Sequence, residues 1–514
     1  MANYIENLPV TFVYDWDYLT IINPHKDHET YLKYQYRWME PDENRPWIQN
    51  QRTETKSLFV PVNKKGTSPT IIKTKQGFID ECIKICKDLG LPYTVSDQRP
   101  RLPTLSVDKI KAFPDAWQVQ KDLLIKAVNK KRSGCVKAPT RYGKTRLIAM
   151  LMDAYKGKKQ IVLAAPGVDL MGQLIDDLKE LLPGREIKGI YTGSKTKIQS
   201  DDITVCSFDS LHKIQKDNVD LLIIDEPHAG VSQGRFPELE QFYCMRLAVG
   251  ATLEGRFDGS DKLIKGIFGP KLAVKTFQQG VAEGVLCPIK VFIVDLEFEH
   301  FRIKTRKGAY DHLLINNENM GSLLKRISSH IPDEWQTLAF IQTEKQAKMY
   351  MEQCPEFELA INKLFKKKKE REEFFKRMKD SDVKRCMATS IYSQGVTFPK
   401  IRVVINCAGG GGNISSTQRP GRLAQKMDGK IYGYVIDFRF KCVTPQSRLD
   451  RIPNNEKLWM CLSRDAENRI RTYREKGYEL EYVNDYKDIQ FEELRNANIQ
   501  SKSLQRQNRM VPKR

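Results

Sequence analysis

The chain has 514 residues, 40% hydrophobic and 29% charged, the balance of a soluble globular protein long enough for three or four domains of roughly 100 to 200 residues. No stretch approaches the roughly 18 successive apolar residues of a membrane span, and the opening MANYIENLPV lacks the basic-then-apolar pattern of an export signal, so no membrane partner and a cytoplasmic location are expected. Lys and Arg outnumber Asp and Glu by 85 to 64, leaving a net charge of +21; this points to a polyanionic partner, because side chains that neutralise phosphates release condensed counterions.

Residues 1–104 alternate short β-like runs (VTFVYDW, SLFVPV, PTIIKT) with one helix near 77–90 and close on the Pro-rich QRPRLPTL, which predicts a small N-terminal α+β domain and a linker. In that helix Cys82 and Cys86 share a face. The 11 cysteines include no CxxC pair, a pattern of reduced thiols with neither disulfides nor structural zinc. From about residue 113, apolar strands alternate with amphipathic helices: SGCVKA then KTRLIAMLMDAY, QIVLAAP then LMGQLIDDLKELL, and DLLIIDE. Such alternation predicts a parallel sheet covered on both faces. A second series, QTLAFIQT, RCMATS, IRVVINC and YGYVIDF, predicts a second α/β domain. Between its strands, LFKKKKEREEFFKRMKD can form a solvated helix whose stripe is Leu364, Phe365, Phe374, Phe375 and Met378. The expected organisation is a small α+β domain and linker at 1–104, a first α/β domain at 105–290, a second at 291–440, and a basic helical tail at 441–514.

The most informative local pattern is APTRYGKT, residues 138–145, between a strand and a helix that begins at Lys144. A nucleotide polyphosphate needs backbone N–H groups converging on one concavity and a helix N-terminus whose dipole favours anions. Ala138, Pro139, Thr140, Arg141, Tyr142 and Gly143 would form that loop. Lys144 would reach the β and γ phosphates of ATP, and the Thr145 hydroxyl would bind Mg2+. Ala138 replaces the usual first glycine of such loops. About 80 residues downstream, DLLIIDEPH ends a strand in two carboxylates. Phosphoryl transfer to water needs one acid to hold the metal and another to orient the nucleophile, tasks that fall to Asp225 and Glu226.

With Gln120 ahead of the loop, the strings AAPGVDLMGQL, TVCSFDSL, GAT (250–252), TLAFIQT, ATSIYSQGVT and QRPGRL (418–423) follow in one order. They resemble motifs Ia, Ib, III, IV, V and VI of superfamily 2 helicases. The resemblance covers residues 120–423 and implies two tandem RecA-like parallel-sheet domains that hydrolyse ATP at a shared cleft. It also implies roles: Gln120 reads adenine, Gly395 lies near the nucleotide, and Gly250, Ala251 and Thr252 couple hydrolysis to movement. Gln418 would sense the γ-phosphate, Arg419 would support the same loop, and Arg422 would act as an arginine finger. Pro166, Gly167, Gly193, Ser194 and Thr389 would contact backbone phosphates without reading sequence. The chain departs from the family at Arg141, where glycine is common, at Thr397, and at Gln425, which stands where motif VI has its last arginine.

Within the superfamily, AWQVQKDLLIKAVNKKRSGCVKAPT is most similar to the UvsW-type branch-migration helicases of T-even phages. That likeness implies a recombination, replication and repair enzyme in the cytoplasm of an infected bacterial host, acting on branched, forked or single-stranded DNA. It also implies an N-terminal domain that touches duplex DNA, with recombination or single-strand-binding proteins as candidate partners. A duplex translocase that does not separate strands, and an RNA helicase, remain the alternatives.

Overall fold

The computed structural model describes residues 8–29, 35–39, 53–62, 70–100, 104–156, 160–165, 168–190, 201–232, 236–254, 261–361, 368–389 and 400–494. The chain divides into two compact units, Met1–Thr276 and Phe277–Arg514. Residues 1–104 therefore belong to one unit with the first α/β segment. The division also precedes the expected 290/291 boundary, because Phe277 packs in the core of the second unit against Tyr478, with ring centroids 4.9 Å apart.

The first unit opens with strands β1 (Val10–Tyr14), β2 (Tyr18–Ile22), β3 (Val60–Pro61), β4 (Ile71–Lys75) and β5 (Tyr93–Asp97), in the order β3-β4-β2-β1-β5. Their alternation turns Val10, Phe12, Leu19, Ile21 and Ile72 to one buried face. Helix α1 (Ile79–Asp88) buries Cys82 and Cys86 among those side chains. After α2 (Gln118–Val128) come β6 (Gly134–Lys137), α3 (Lys144–Ala154), β7 (Gln160–Ala165), β8 (Ile187–Ile190), β9 (Ile203–Ser207), β10 (Val219–Asp225), β11 (Met245–Gly250), α4 (Asp261–Phe268) and β12 (Lys271–Val274). The seven strands form a sheet ordered β8-β9-β7-β10-β11-β6-β12. All its pairings are parallel.

The second unit repeats this plan with β13 (Ile289–Phe298), β14 (Gln336–Phe340), β15 (Glu358–Ala360), β16 (Arg385–Ala388), β17 (Ile401–Asn406), α5 (Asn413–Gly421), β18 (Gly433–Cys442), α6 (Met460–Lys476) and β19 (Glu479–Val483). Its sheet runs β15-β16-β14-β17-β18-β13-β19. Counted from the first strand of each sheet, both orders are 3-4-2-5-6-1-7. Two tandem parallel sheets preceded by a small α+β sheet are thus present, as the alternation predicts, in the RecA-like plan that the family resemblance implies. Strands such as β9, β11 and β14 are buried at every residue, as helices on both faces require. The segment after 440, expected as a helical tail, instead supplies α6 and the seventh strand, β19, which pairs with β13. Phe374 and Met378 of the charged helix are buried as expected; Leu364 and Phe365 lie outside the described residues. No described helix is long and apolar enough to cross a membrane.

The N-terminal sheet and the first α/β layer share one apolar cluster, in which Phe12, Ile72 and Phe78 join Leu263, Ile264, Ile267 and Phe268 of α4. Gly77 makes that approach possible: a Cβ there would lie 1.9 Å from the Lys265 carbonyl oxygen. Arg246 on β11 is 1% exposed and donates to the carbonyls of Phe242 (2.8 Å), Ile267 and Glu240, and to the Asp17 carboxylate. Burial raises the Asp17 carboxyl above its usual range, although Arg246 pulls it down. The pair's value lies in satisfying a buried guanidinium rather than in charge attraction alone. Ion pairs Lys75–Glu240 (2.5 Å), Arg132–Asp80 (2.8 Å) and Lys265–Glu81 join the same two layers. Asp17→Ala is expected to cost about 3 kcal/mol by leaving Arg246 short of its counter-charge. Thermal unfolding should show the first unit melting earlier while the second is unchanged; an unaltered profile would mean the carbonyls suffice.

Candidate active site

The carboxyl ends of β6, β11 and β10 lie side by side in the first sheet, and each carries part of one site. β6 leads into the 138–143 loop. The Ala138 N–H donates to the Gly250 carbonyl at 3.1 Å, tying that loop to the end of β11. The loop turns through Arg141 at φ 70° and Gly143 at φ 95°, and Gly143 is the N-cap of α3. Left-handed φ is unfavourable for a residue with a Cβ, which explains why glycine suits position 141 and what Arg141 sacrifices there. Burial pushes the Arg141 guanidinium down to about 10.

At the back of the loop the buried Gln120 side chain donates from Nε2 to the Tyr142 carbonyl at 3.0 Å. The Tyr142 hydroxyl in turn donates to the Val119 carbonyl at 3.3 Å. Gln120 Oε1 is buried with no hydrogen-bond partner among the described residues, leaving an acceptor available to an exocyclic amine such as that of adenine.

Lys144, the first residue of α3, forms an ion pair with Glu226 through Nζ and Oε1. Glu226 itself is held at φ 51°. Its Oε2 lies 3.5 Å from His228 Nδ1 and accepts from the Ala251 N–H at 3.4 Å. Burial works to raise the Glu226 carboxyl, but Lys144, His228 and the Ala251 N–H outweigh it and hold the group below its usual range. Asp225 responds oppositely: burial first, then the Glu226 charge, push it up to about 7 against the pull of Lys144. Two adjacent acids driven apart in this way suit different tasks.

Asp225 Oδ1 is buried with no partner among the described residues, and a divalent cation would supply the missing counter-charge. The donor set of Asp225 and the Thr145 hydroxyl, on the first turn of α3, therefore fits Mg2+. Gly250 is constrained by packing, since a Cβ there would come within 2.9 Å of Pro227 Cδ. Thr252 Oγ1 is buried with no partner among the described residues. Ala138, Tyr142, Gly143, Lys144, Gln120, Asp225, Glu226, Gly250 and Ala251 are thus joined by direct contacts or chain adjacency. Pro139 accepts from the Tyr142 N–H at 3.2 Å, and Thr140 completes the turn.

In the second unit, Gln418 and Arg419 lie in the last turns of α5, and Arg422 follows in a short 3-10 turn with 4% exposure. Lys430 Nζ donates to the carbonyls of Leu423 (2.6 Å), Ile401 (2.9 Å) and Gln425 (3.4 Å). The position that departs from motif VI, Gln425, thus serves through its backbone. Arg419 Nη1 donates to Asn406 Oδ1 at 2.7 Å and to the Gly409 carbonyl at 2.8 Å. Thr389 directly follows β16. Pro166, Gly167, Gly193, Ser194 and Gly395, with Thr397, lie outside the described residues. No local pattern singles out Asn406, Asp437 or Arg469; the four-glycine run 409–412 is the available signal, since such a run marks close backbone approach.

Comparison with known proteins agrees with this architecture. A family model described as the res subunit of type III restriction enzymes matches residues 108–255, and one described as the helicase conserved C-terminal domain matches 319–426. The chain is 27% identical over 345 residues to the candidate helicase 22 of Sulfolobus islandicus filamentous virus (isolate Iceland/Hveragerdi), covering 60% of this chain and 61% of that protein. It is 24% identical over 347 residues to the DNA 3'-5' translocase XPB2 of Sulfurisphaera tokodaii, covering 59% and 77%. The match thus spans less than two thirds of the viral relative's length. Among solved structures, the ATP-dependent type ISP restriction-modification enzyme LlaBIII bound to DNA superposes with a TM-score of 0.52 at 14% identity, covering 80% of this chain and 34% of that one; this is a likeness of fold.

Two substitutions test the site. Lys144→Ala and Glu226→Gln are each expected to reduce nucleic-acid-stimulated ATP hydrolysis by about 100-fold or more while leaving nucleic-acid affinity within about twofold, because the two side chains are engaged with each other in the ion pair beside the 138–143 loop. Steady-state phosphate release and fluorescence anisotropy measure the two quantities, and near-normal turnover in either variant would overturn the assignment.

Proposed function

We propose, from the premise that this chain carries the two motor domains of the superfamily 2 helicases, that the protein couples ATP hydrolysis to movement along DNA and remodels branched DNA. The observation that carries the ATPase reading is the connected site in which Lys144, Glu226 and Ala251 touch while the Asp225 carboxylate oxygen beside them is buried with no partner among the described residues. In this reading Lys144 binds the β and γ phosphates, Gln120 presents Oε1 to the base, and the 138–143 loop supplies N–H groups. Thr145 and Asp225 hold Mg2+, which when bound neutralises charge on the phosphate oxygens. Glu226, kept ionised by its neighbours, orients the attacking water and accepts its proton. Gln418 senses the γ-phosphate, and Arg422 stabilises charge developing on the transferred phosphoryl group.

The contact between the Ala251 N–H and Glu226 gives the 250–252 segment a direct way to feel the state of the catalytic acid. Pro166, Gly167, Gly193, Ser194 and Thr389 are assigned to phosphates of the tracked strand, contacts that position a motor without reading bases.

DNA is favoured over RNA by the name of the archaeal relative, a DNA translocase, and a polyanion by the charge of +21. The preference for junctions follows from the UvsW-type resemblance: several arms can engage a broad basic surface at once. A second reading, translocation on duplex DNA without strand separation, is favoured by the match to the family model described as the res subunit of type III restriction enzymes.

A labelled mobile Holliday junction, a linear duplex and a matched duplex RNA, each incubated with protein and ATP, separate these readings. Junction affinity should exceed duplex affinity and fall with salt at a log-log slope of about 0.9 per neutralised phosphate. Migration should require ATP and be lost in Arg422→Ala without loss of junction binding. ATP turnover on duplex with an intact junction would support the translocase reading, and efficient separation of RNA strands would replace the DNA assignment.

A further inference from the structure

A continuous hydrogen-bonded chain runs through the second unit from α6 to the motif VI arginine. Asp465, Arg469 and Tyr473 recur every four residues, so they share one face of α6, and they are 4%, 3% and 2% exposed. Arg469 grips both carboxylate oxygens of Asp437 on β18, from Nε at 2.8 Å and from Nη2 at 2.9 Å. Tyr473 donates its hydroxyl to the same carboxylate at 2.8 Å. Asp437 Oδ1 accepts from Asn406 Nδ2 at 2.9 Å, and Asn406 Oδ1 accepts from Arg419.

The glycine loop after β17 is clamped by the same helix. Arg469 Nη1 donates to the Gly410 carbonyl at 2.5 Å, and the Gly410 N–H donates at 3.0 Å to the Tyr310 hydroxyl, which donates at 2.5 Å to Asp465. Arg419 rests on that loop through the Gly409 carbonyl and lies over the Phe340 ring, 5.4 Å from its centroid.

The polarity of this chain is fixed. A carboxylate can only accept and a guanidinium can only donate, so an asparagine between them has one allowed orientation, and neither an aspartate nor an apolar residue can replace it. Here the Asp437–Arg469 pair passes one bond onward, through Asn406, to a residue of motif VI.

We propose that Arg469, Asp437 and Asn406 are positioning residues that set the orientation of Arg419 for ATP hydrolysis, which makes α6, outside both matched domain regions, part of the motor. The proposal rests on the reading of motif VI as acting on ATP. Misplacement of a group by about 1 Å can cost 100-fold in rate, so a bond at either side of Asn406 matters more for turnover than for binding.

The test is a double-mutant cycle on the full chain with saturating DNA. Arg419→Ala and Asn406→Leu should each lower kcat by about tenfold or more with the KM for ATP within about twofold, and the double variant should be no slower than Arg419→Ala alone. Arg469→Lys, which keeps the charge but loses the two-pronged grip, should fall between wild type and Asn406→Leu. Tyr473→Phe, which removes one bond, should cost less and keeps the test open if the leucine variant does not fold. Additive losses, or normal kcat in Asn406→Leu beside a slow Arg419→Ala, would overturn the proposal. Normal turnover in Arg419→Ala would overturn it together with the motif VI reading. A crystal structure of Asn406→Leu reads the geometry independently of turnover: the guanidinium leaving Gly409 is expected, and an unmoved guanidinium refutes positioning even if the chain hydrolyses no ATP.

Discussion

In a parallel sheet every loop that leaves the carboxyl end of a strand emerges on the same edge. The order 3-4-2-5-6-1-7 sets the ends of strands five, six and one beside one another, and the rest of the first unit depends on that adjacency. The 138–143 loop leaves strand one, the Asp225–Glu226 pair leaves strand five, and Gly250 leaves strand six between them. The bond from the Ala138 N–H to the Gly250 carbonyl and the contact from the Ala251 N–H to Glu226 are consequences of strand order more than of local sequence. Chemistry that is about 80 residues apart along the chain becomes one hydrogen-bonded cluster.

The second sheet uses the same order for a different purpose. The last residue of its fifth strand is Asn406, where the first sheet has Asp225. A buried acid in one unit is matched by an amide that relays hydrogen bonds in the other. Asp437 lies on strand six, and burial is opposed by Arg469 and Tyr473, which keep its carboxyl below the usual range. A duplicated backbone plan can thus carry unrelated chemistry, since topology places a residue and the side chain decides what it does.

Positive φ at Arg141 and Glu226 falls on the two segments that flank the ion pair with Lys144. Strained backbone persists only where its surroundings over-determine it. Here the restraint is visible: Gln120 holds the loop from behind, and Val249 and Ala251 hold Glu226 through the strand end and its oxygen. The N-terminal sheet extends the same logic outward, since the buried guanidinium of Arg246 on strand six draws its last counter-charge from Asp17. A segment that resembles a separate module by composition is packed into the layer that carries the site.

Much of this was legible in the amino-acid sequence, because the signals involved are local. Alternating apolar strands and amphipathic helices predict both sheets, GKT after a strand predicts the start of α3, and an apolar run ending in two acids predicts β10. Side-chain period and loop chemistry are properties of neighbours along the chain. What the sequence could not express is partnership at a distance. Asn406 is an ordinary strand residue until Asp437 and Arg419 come to either side of it, and Arg469 is one basic residue among many until α6 turns it inward. The stretch after 440 has the composition of a basic tail, yet β19 joins the sheet and α6 closes over the glycine loop. Only the tertiary structure could decide this: burying a charge is costly unless its partner is in place, and those partners are supplied by strand order and by the face of α6 that packs against the sheet.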